Sequence, residues 1–271
     1  MGRDRIKGIT IDGNRIWNHL KISLRFHKNL RSNDLRIKPD GWPEGDGLFE
    51  TIRVEDGKVF ALHRHHCRAK ESAAVLGIEI PSESEVALAS YEEIAKHTFT
   101  LGRLRWHFDF SGGFSLTYSE FTDPTKPARL TIHDRRSADY SIRTKQYPYE
   151  NLEWLSKVQS EGFDDAIVLT EDGQVSETLI ATLLVKLNGE WITSPLSSGI
   201  LNGVVRALVL EAGLAKVRRI PSDDLDNIES ALLLTSLRNS QIVSEISGRQ
   251  LKQDSEKSSQ IIDLMNKYKG L

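Results

Sequence analysis

The sequence predicts an α+β fold in two domains. Strand-like runs come in pairs joined by tight-turn residues, with amphipathic helices between the pairs. Asp123-Pro124-Thr125-Lys126-Pro127 then interrupts the pattern with two prolines and polar residues, as a linker does. At 271 residues the chain can bury one large core or two ordinary ones. The expected division is a smaller N-terminal domain, 1–121, and a larger C-terminal one, 128–271.

The elements follow in order. Ile6–Ile11 is a short strand candidate before a turn at Asp12-Gly13, and the polar, basic stretch behind it has no assigned role. Leu48–Val54 and Lys58–Leu62 are β-rich runs joined by Glu55-Asp56-Gly57, a hairpin signal. In the next segment His66, Ala69, Ala73 and Leu76 fall on one helical stripe, and Gly77 supplies the stop. A second helix spans Ser82 to His97, opened by a capping sequence at Ser82–Glu85. Strands at Leu101–Phe110 and Phe114–Phe121 flank Ser111-Gly112-Gly113.

Beyond the linker the pattern gives a strand at Ala128–His133, a helix at Asn151–Glu161 and a strand at Asp165–Leu169. The stretch Asp172 to Arg206 organises this half. It holds a turn at Asp172-Gly173, a carboxylate at Glu177 and apolar runs at Leu179–Lys186 and Glu190–Thr193. The glycine-spaced loop Gly199–Gly203 then opens into a helix at Gly203–Ala212. Glycines before a helix let backbone N–H groups approach an anion, where the helix dipole favours negative charge. A strand at Lys216–Ile220, a polar turn at Asp223–Asn227, a strand at Ala231–Thr235 and an amphipathic helix around Ser258–Tyr268 complete the chain.

Composition narrows the function. Charged residues at 27% and hydrophobic ones at 39% are those of a globular chain, and a formal net charge of −2 gives no footprint for nucleic acid or an acidic membrane. Arg135-Arg136 and Arg218-Arg219 read as solvated faces. The single cysteine, Cys67, excludes an internal disulfide and reads as packing. No run approaches the ~18 apolar residues of a membrane span, so a cytoplasmic protein without nucleic-acid or membrane partners is expected.

Four blocks together resemble the fold-type IV family of pyridoxal-phosphate enzymes, which includes branched-chain and D-amino-acid aminotransferases and aminodeoxychorismate lyase. They are Gly47-Leu48-Phe49-Glu50-Thr51-Ile52-Arg53, His65-His66-Cys67-Arg68 with Ser72, Gly173-x-Val175-x-Glu177, and Gly199-Ile200-Leu201-Asn202-Gly203-Val204-Val205-Arg206, in family order. The resemblance implies the two-domain, D-amino-acid-aminotransferase-like architecture, a homodimer, and pyridoxal 5'-phosphate as cofactor, with no metal.

That cofactor needs an amine to hold it as a Schiff base and to move a proton. Lys145, with Tyr149 four residues on, is similar to the family's K-x-x-x-Y, although it sits slightly closer to the Gly162–Ala166 block than the family spacing and Thr144 competes for its column. Lys157 is the nearby rival and is expected to be solvated. Glu177 matches the carboxylate that keeps the pyridine nitrogen protonated. Arg68, the backbone N–H groups of Val204 and Val205, and the Ser236 hydroxyl match the phosphate donors. Thr182 stands where the family often has Asn. His65 fits a structural histidine as well as a substrate contact, and Arg206 is expected to pack or pair.

Thr235-Ser236-Leu237-Arg238-Asn239 resembles a lyase-type motif and places Arg238 to meet a substrate carboxylate. The reading is a 4-amino-4-deoxychorismate lyase giving 4-aminobenzoate and pyruvate. A class IV aminotransferase of D-amino-acid or branched-chain type is the alternative, and a non-catalytic family member the third.

Overall fold

The computed structural model describes residues 47–137 and 149–270, with backbone only for 134–137, 149 and 150. The strand candidate at Ile6–Ile11 and Lys145 lie outside the described residues.

The first sheet has four antiparallel strands in the order β2-β1-β3-β4. Its strands are β1 (Gly47–Glu55), β2 (Lys58–Val59), β3 (Leu101–Asp109) and β4 (Phe114–Glu120). Alternation along β1 and β3 sends Leu48, Ile52, Leu104, Trp106 and Phe108 into the core, each fully buried. Helices α1 (Leu62–Leu76) and α2 (Glu83–Ile94) contribute Ala69, Ala73, Val86 and Ile94 to the same core. The Lys58–Leu62 run shortens to two strand residues because Ala61 adopts left-handed backbone (φ 44°) and starts α1. The capping box expected at Ser82 is present, with the Ser82 side chain accepting from the Glu85 N–H. Within the core, Trp106 Nε1 donates to Ser90 Oγ at 2.8 Å, and the Ser90 hydroxyl donates to the Val86 carbonyl at 2.7 Å.

The second sheet runs β10-β9-β8-β11-β12-β5-β6-β7, with β13 (Arg249–Gln250) paired to β12. Its members are β5 (Ala128–Ser137), β6 (Asp165–Thr170), β7 (Val175–Thr178), β8 (Thr182–Leu187), β9 (Glu190–Thr193), β10 (Lys216–Val217), β11 (Ser230–Thr235) and β12 (Asn239–Ile246). The β9–β10, β12–β5 and β5–β6 pairs are parallel. Helix α3 (Tyr149–Ser160) packs Val158 against Ala166 and Leu179. Helix α4 (Val204–Glu211) buries Val204, Val205, Leu208 and Val209 in the same cluster as the first sheet, and α5 (Ser255–Asn266) adds Ile261 and Met265 there.

β12 is absent from the sequence expectation. Its inward positions include Asn239 and Gln241, so a buried strand carries no clean apolar alternation. The strand expected at Lys216–Ile220 contracts to Lys216–Val217. The chain end returns to the first sheet, where Ala61 N–H donates to the Tyr268 carbonyl and Gly270 N–H to the Val59 carbonyl. Cys67 is half-buried rather than packed away. Its Sγ lies 3.5 Å from Nε2 of His63, one turn back on α1. No helix among the described residues is long and apolar enough to cross a membrane.

Candidate active site

Strands β1 and β3 of the first sheet face the β7–β8 turn, the N-terminus of α4 and the β11–β12 loop across a cavity of about 310 Å³. Arg68, Glu177, Val204, Val205, Ser236 and Arg238 all line it. So do Thr182 and Arg206. Lys157 is exposed, with Nζ 5.0 Å from the Trp154 ring centroid, and is not among the lining residues.

Arg68 reaches the cavity from α1 and is held by a carboxylate. Its Nε donates to Glu50 Oε1 at 2.9 Å and Nη2 to Glu50 Oε2, while Nη1 reaches the Asn202 carbonyl at 3.2 Å. Three of the five guanidinium N–H groups are thus used inside the protein, and two remain for a ligand. Glu50 is fully buried, and its Oε2 lies 2.8 Å from Nδ1 of the buried His65. Burial opposes ionisation of Glu50, yet the Arg68 cation and the His65 ring hold its carboxyl well below the usual carboxylate range. His65 is therefore a structural partner of Glu50.

Sequence reasoning gave Glu50 no role. The signal was available, because alternation in β1 places it between Leu48 and Ile52 on the core face, where a lone carboxylate demands a buried cation.

Opposite Arg68 the loop Gly199–Gly203 delivers the start of α4. Gly199 takes a left-handed φ of 71°, and a Cβ on Gly203 would come within 3.1 Å of Thr182 Oγ1, so glycine lets the helix start lie close against β8. Gly203 offers no side-chain cap, which leaves the first N–H groups of α4 without a capping acceptor. Glu177, buried on β7, accepts the Leu201 N–H through Oε2 at 3.1 Å and so ties this loop to the cavity wall. Arg206 is buried and donates to the Ser194 carbonyl at 2.9 Å, the packing and pairing role expected of it, although it also borders the cavity.

On β3, Arg103 and Arg105 share a face and both line the cavity; Arg105 stands directly opposite Thr51, whose buried Oγ1 has no partner. Neither arginine was singled out from the sequence. Alternation in Leu101–Asp109 puts Leu104, Trp106 and Phe108 on one side, and this fixes Arg103 and Arg105 on the other.

Behind the β7–β8 turn sits Asp165, fully buried. Its Oδ1 accepts the Ala166 and Leu179 N–H groups at 2.8 and 3.0 Å, and its Oδ2 accepts the Thr178 hydroxyl at 2.7 Å. Burial pushes its carboxyl up to about 6, against the opposing pull of these donors and of the Arg238 charge.

A family model for Amino-transferase class IV matches residues 47–246. The chain belongs to this family. Its members are pyridoxal-phosphate enzymes, and the fold-type IV architecture expected from the sequence is the one observed. The chain is 27% identical over 205 residues to a putative aminodeoxychorismate lyase of Schizosaccharomyces pombe, covering 72% of this chain and 87% of that protein. It is also 27% identical over 237 residues to a D-alanine aminotransferase of Bacillus licheniformis, covering 79% and 83%. Among solved structures, a putative 4-amino-4-deoxychorismate lyase of Legionella pneumophila superposes with a TM-score of 0.73 at 21% identity, covering 82% of this chain and 91% of that one.

The family's cofactor is compatible with the residues present in this class IV chain. A phosphate requires donors that the protein leaves unused, and two Arg68 N–H groups and the uncapped start of α4 border the cavity. A protonated ring nitrogen requires a buried carboxylate, and Glu177 is one. Among the described residues no group of three His, Cys, Asp or Glu side chains could hold a metal.

Proposed function

We propose that the chain is a pyridoxal-phosphate-dependent lyase acting on 4-amino-4-deoxychorismate and releasing 4-aminobenzoate and pyruvate. The observation that carries this reading is the charge of the cavity wall. Among the described lining residues five are arginines (Arg68, Arg103, Arg105, Arg206 and Arg238) and one, Glu177, is a carboxylate. Glu50 pairs with Arg68 and Arg206 donates to a backbone carbonyl, while Arg103, Arg105 and Arg238 add positive charge to the same wall. D-Alanine carries one carboxylate, whereas 4-amino-4-deoxychorismate carries two. A wall this rich in arginine suits the dianion, because positive charge in a sheltered site favours the ligand that brings more negative charge to it.

The roles follow from chemistry. Arg68, the N–H groups of Val204 and Val205, and the Ser236 hydroxyl would hold the phosphate, and the Glu177 carboxylate would hold a proton on the ring nitrogen. When bound, the cofactor supplies an electron sink for the pair left by a departing proton. Lys145 would carry the cofactor and take that proton as general base. Arg238, with Arg103 and Arg105, would orient the two carboxylates so that the enolpyruvyl group can leave. Leu152, Leu155 and Leu179 line the same cavity and would exclude water from it.

An aminotransferase acting on a dicarboxylic amino acid satisfies the same charge argument and is the second reading. The assay that separates them incubates the cofactor-loaded protein with 4-amino-4-deoxychorismate and no 2-oxo acid. The lyase releases pyruvate and 4-aminobenzoate in equal amounts over many turnovers. An aminotransferase stops after one turnover per site until a 2-oxo acid is added, and that result would replace the lyase reading. A homodimer is proposed as well, from the family's habit; sedimentation of the full chain tests it.

A further inference from the structure

We propose that the inter-sheet linker, residues 121–127, is a brace that sets the direction of Arg238, with Gln241 and Arg53 as its positioning residues. The proposal rests on the reading of Arg238 as a substrate arginine and adds how that side chain is aimed.

Two chains of hydrogen bonds run from the linker to the loop that carries Arg238. The first is direct to the side chain. Arg238 Nη1 donates to Gln241 Oε1 at 3.0 Å, and Gln241 Nε2 donates to the Lys126 carbonyl at 3.2 Å. A guanidinium cannot accept and a carbonyl cannot donate, so only one orientation of the Gln241 amide satisfies both partners. Gln241 is buried on β12, where neither contact is replaced readily by water.

The second chain holds the backbone beside Arg238. Arg53 on β1 grips Asp123 with two parallel bonds, Nη1 to Oδ1 at 2.8 Å and Nη2 to Oδ2 at 2.7 Å. The same Nη1 donates to the Leu237 carbonyl at 2.8 Å, the peptide that joins Leu237 to Arg238. Arg53 Nε leans on Glu55 at 3.4 Å, and Lys269 Nζ holds Glu55 at 2.6 Å, so the returning chain end completes the arrangement. A third contact, the Arg238 N–H to Thr235 Oγ1 at 3.0 Å, closes the loop on itself.

A long arginine side chain samples many rotamers unless something holds it, and binding a carboxylate would then have to order it. Here the backbone is fixed by Arg53 and one guanidinium nitrogen by Gln241, and both are referred to the same seven-residue linker. The remaining N–H groups of Arg238 are thereby presented to the cavity ready-made, which favours binding by pre-organisation. Neither Gln241 nor Arg53 nor Asp123 lines the cavity, so their effect on substrate would be exerted through Arg238.

The test uses the full chain loaded with pyridoxal phosphate in five forms: wild type, Gln241→Leu, Asp123→Ala, Arg238→Gln and the double variant Arg238→Gln/Gln241→Leu. Amide hydrogen exchange and steady-state kinetics on 4-amino-4-deoxychorismate are measured on each. The brace predicts faster exchange at residues 235–239 in Gln241→Leu and Asp123→Ala, with exchange in 182–187 and the cofactor dissociation constant unchanged. Gln241→Leu raises KM about tenfold, the effect of losing one charged hydrogen bond, with kcat held within a few-fold. Arg238→Gln raises KM further, and adding Gln241→Leu to it has little extra effect, because both act on one group. Unchanged exchange at 235–239 in both brace variants overturns the proposal whatever the kinetics. A KM that rises in Arg238→Gln and not in Gln241→Leu overturns it while leaving Arg238 as a substrate residue. Faster exchange with a KM indifferent to Arg238→Gln removes Arg238 from the substrate site and overturns the aiming role.

Discussion

Replacing Asp165 with Asn should stabilise the protein at neutral pH and remove the loss of stability that this carboxyl causes as pH rises. Asp165 is fully buried, and its pKa is pushed from an ordinary 3.8 up to about 6. The folded state therefore holds this proton more tightly than the unfolded chain between about pH 4 and 6. The group's contribution to stability is greatest below that window, falls as pH rises through it, and is constant above it. A shift of about two units corresponds to roughly 3 kcal/mol lost between acid and neutral pH. Asparagine mimics the protonated carboxyl, and its hydrogen bonds can all be made. Its Oδ1 can accept the Ala166 and Leu179 N–H groups, and its Nδ2 can donate to Thr178 Oγ1. The Thr178 hydroxyl then turns to the Ala181 carbonyl, already 2.9 Å away. Urea unfolding of both proteins from pH 4.5 to 8 measures the difference, in which all other titrating groups cancel. The advantage of Asp165→Asn over wild type should be smallest near pH 4.5 and larger by on the order of 2 kcal/mol above pH 7. A difference independent of pH, or a variant less stable than wild type at pH 7, would refute the assignment of a raised carboxyl at this position.

Other substitutions test separate parts of the structure. Glu50→Gln leaves the Arg68 cation buried without its carboxylate, so it should destabilise by about 3–5 kcal/mol and weaken cofactor phosphate binding, read by thermal unfolding and by titration with pyridoxal phosphate. Ser90→Ala strands the Trp106 N–H in the core and should lower stability by about 1–3 kcal/mol with cofactor affinity unchanged. Glu177→Gln removes the negative charge expected at the ring nitrogen; cofactor should still bind, while kcat falls by about 100-fold or more, in keeping with the loss of a preorganised charge in a sheltered site.

How much of this was legible in the sequence depended on how local the signal was. Hairpin turns, the capping box at Ser82 and the glycine loop before α4 are short-range features, and they appear where the residues dictate. β12 was hidden because Asn239 and Gln241 face inward, and a buried polar side chain reads as surface until its partners are known. For Gln241 they are Arg238, three residues back, and the Lys126 carbonyl, 115 positions away, which only the fold brings together. Arg68 was recognisable from its motif, but the carboxylate that holds it lies 18 positions away on another element. Arg103 and Arg105 were within reach of strand alternation alone, yet their meaning depended on which face of β3 meets the cavity, a matter of how two sheets pack.

The most direct measurement is the absorbance spectrum of the purified chain with pyridoxal phosphate, followed by borohydride reduction and peptide mass mapping. The account predicts a visible band near ~410 nm that reduction abolishes, with one pyridoxyl group per chain fixed on Lys145. A label on Lys157, which stands exposed on α3, or no retained cofactor at all, would contradict the placement of the active site in this cavity.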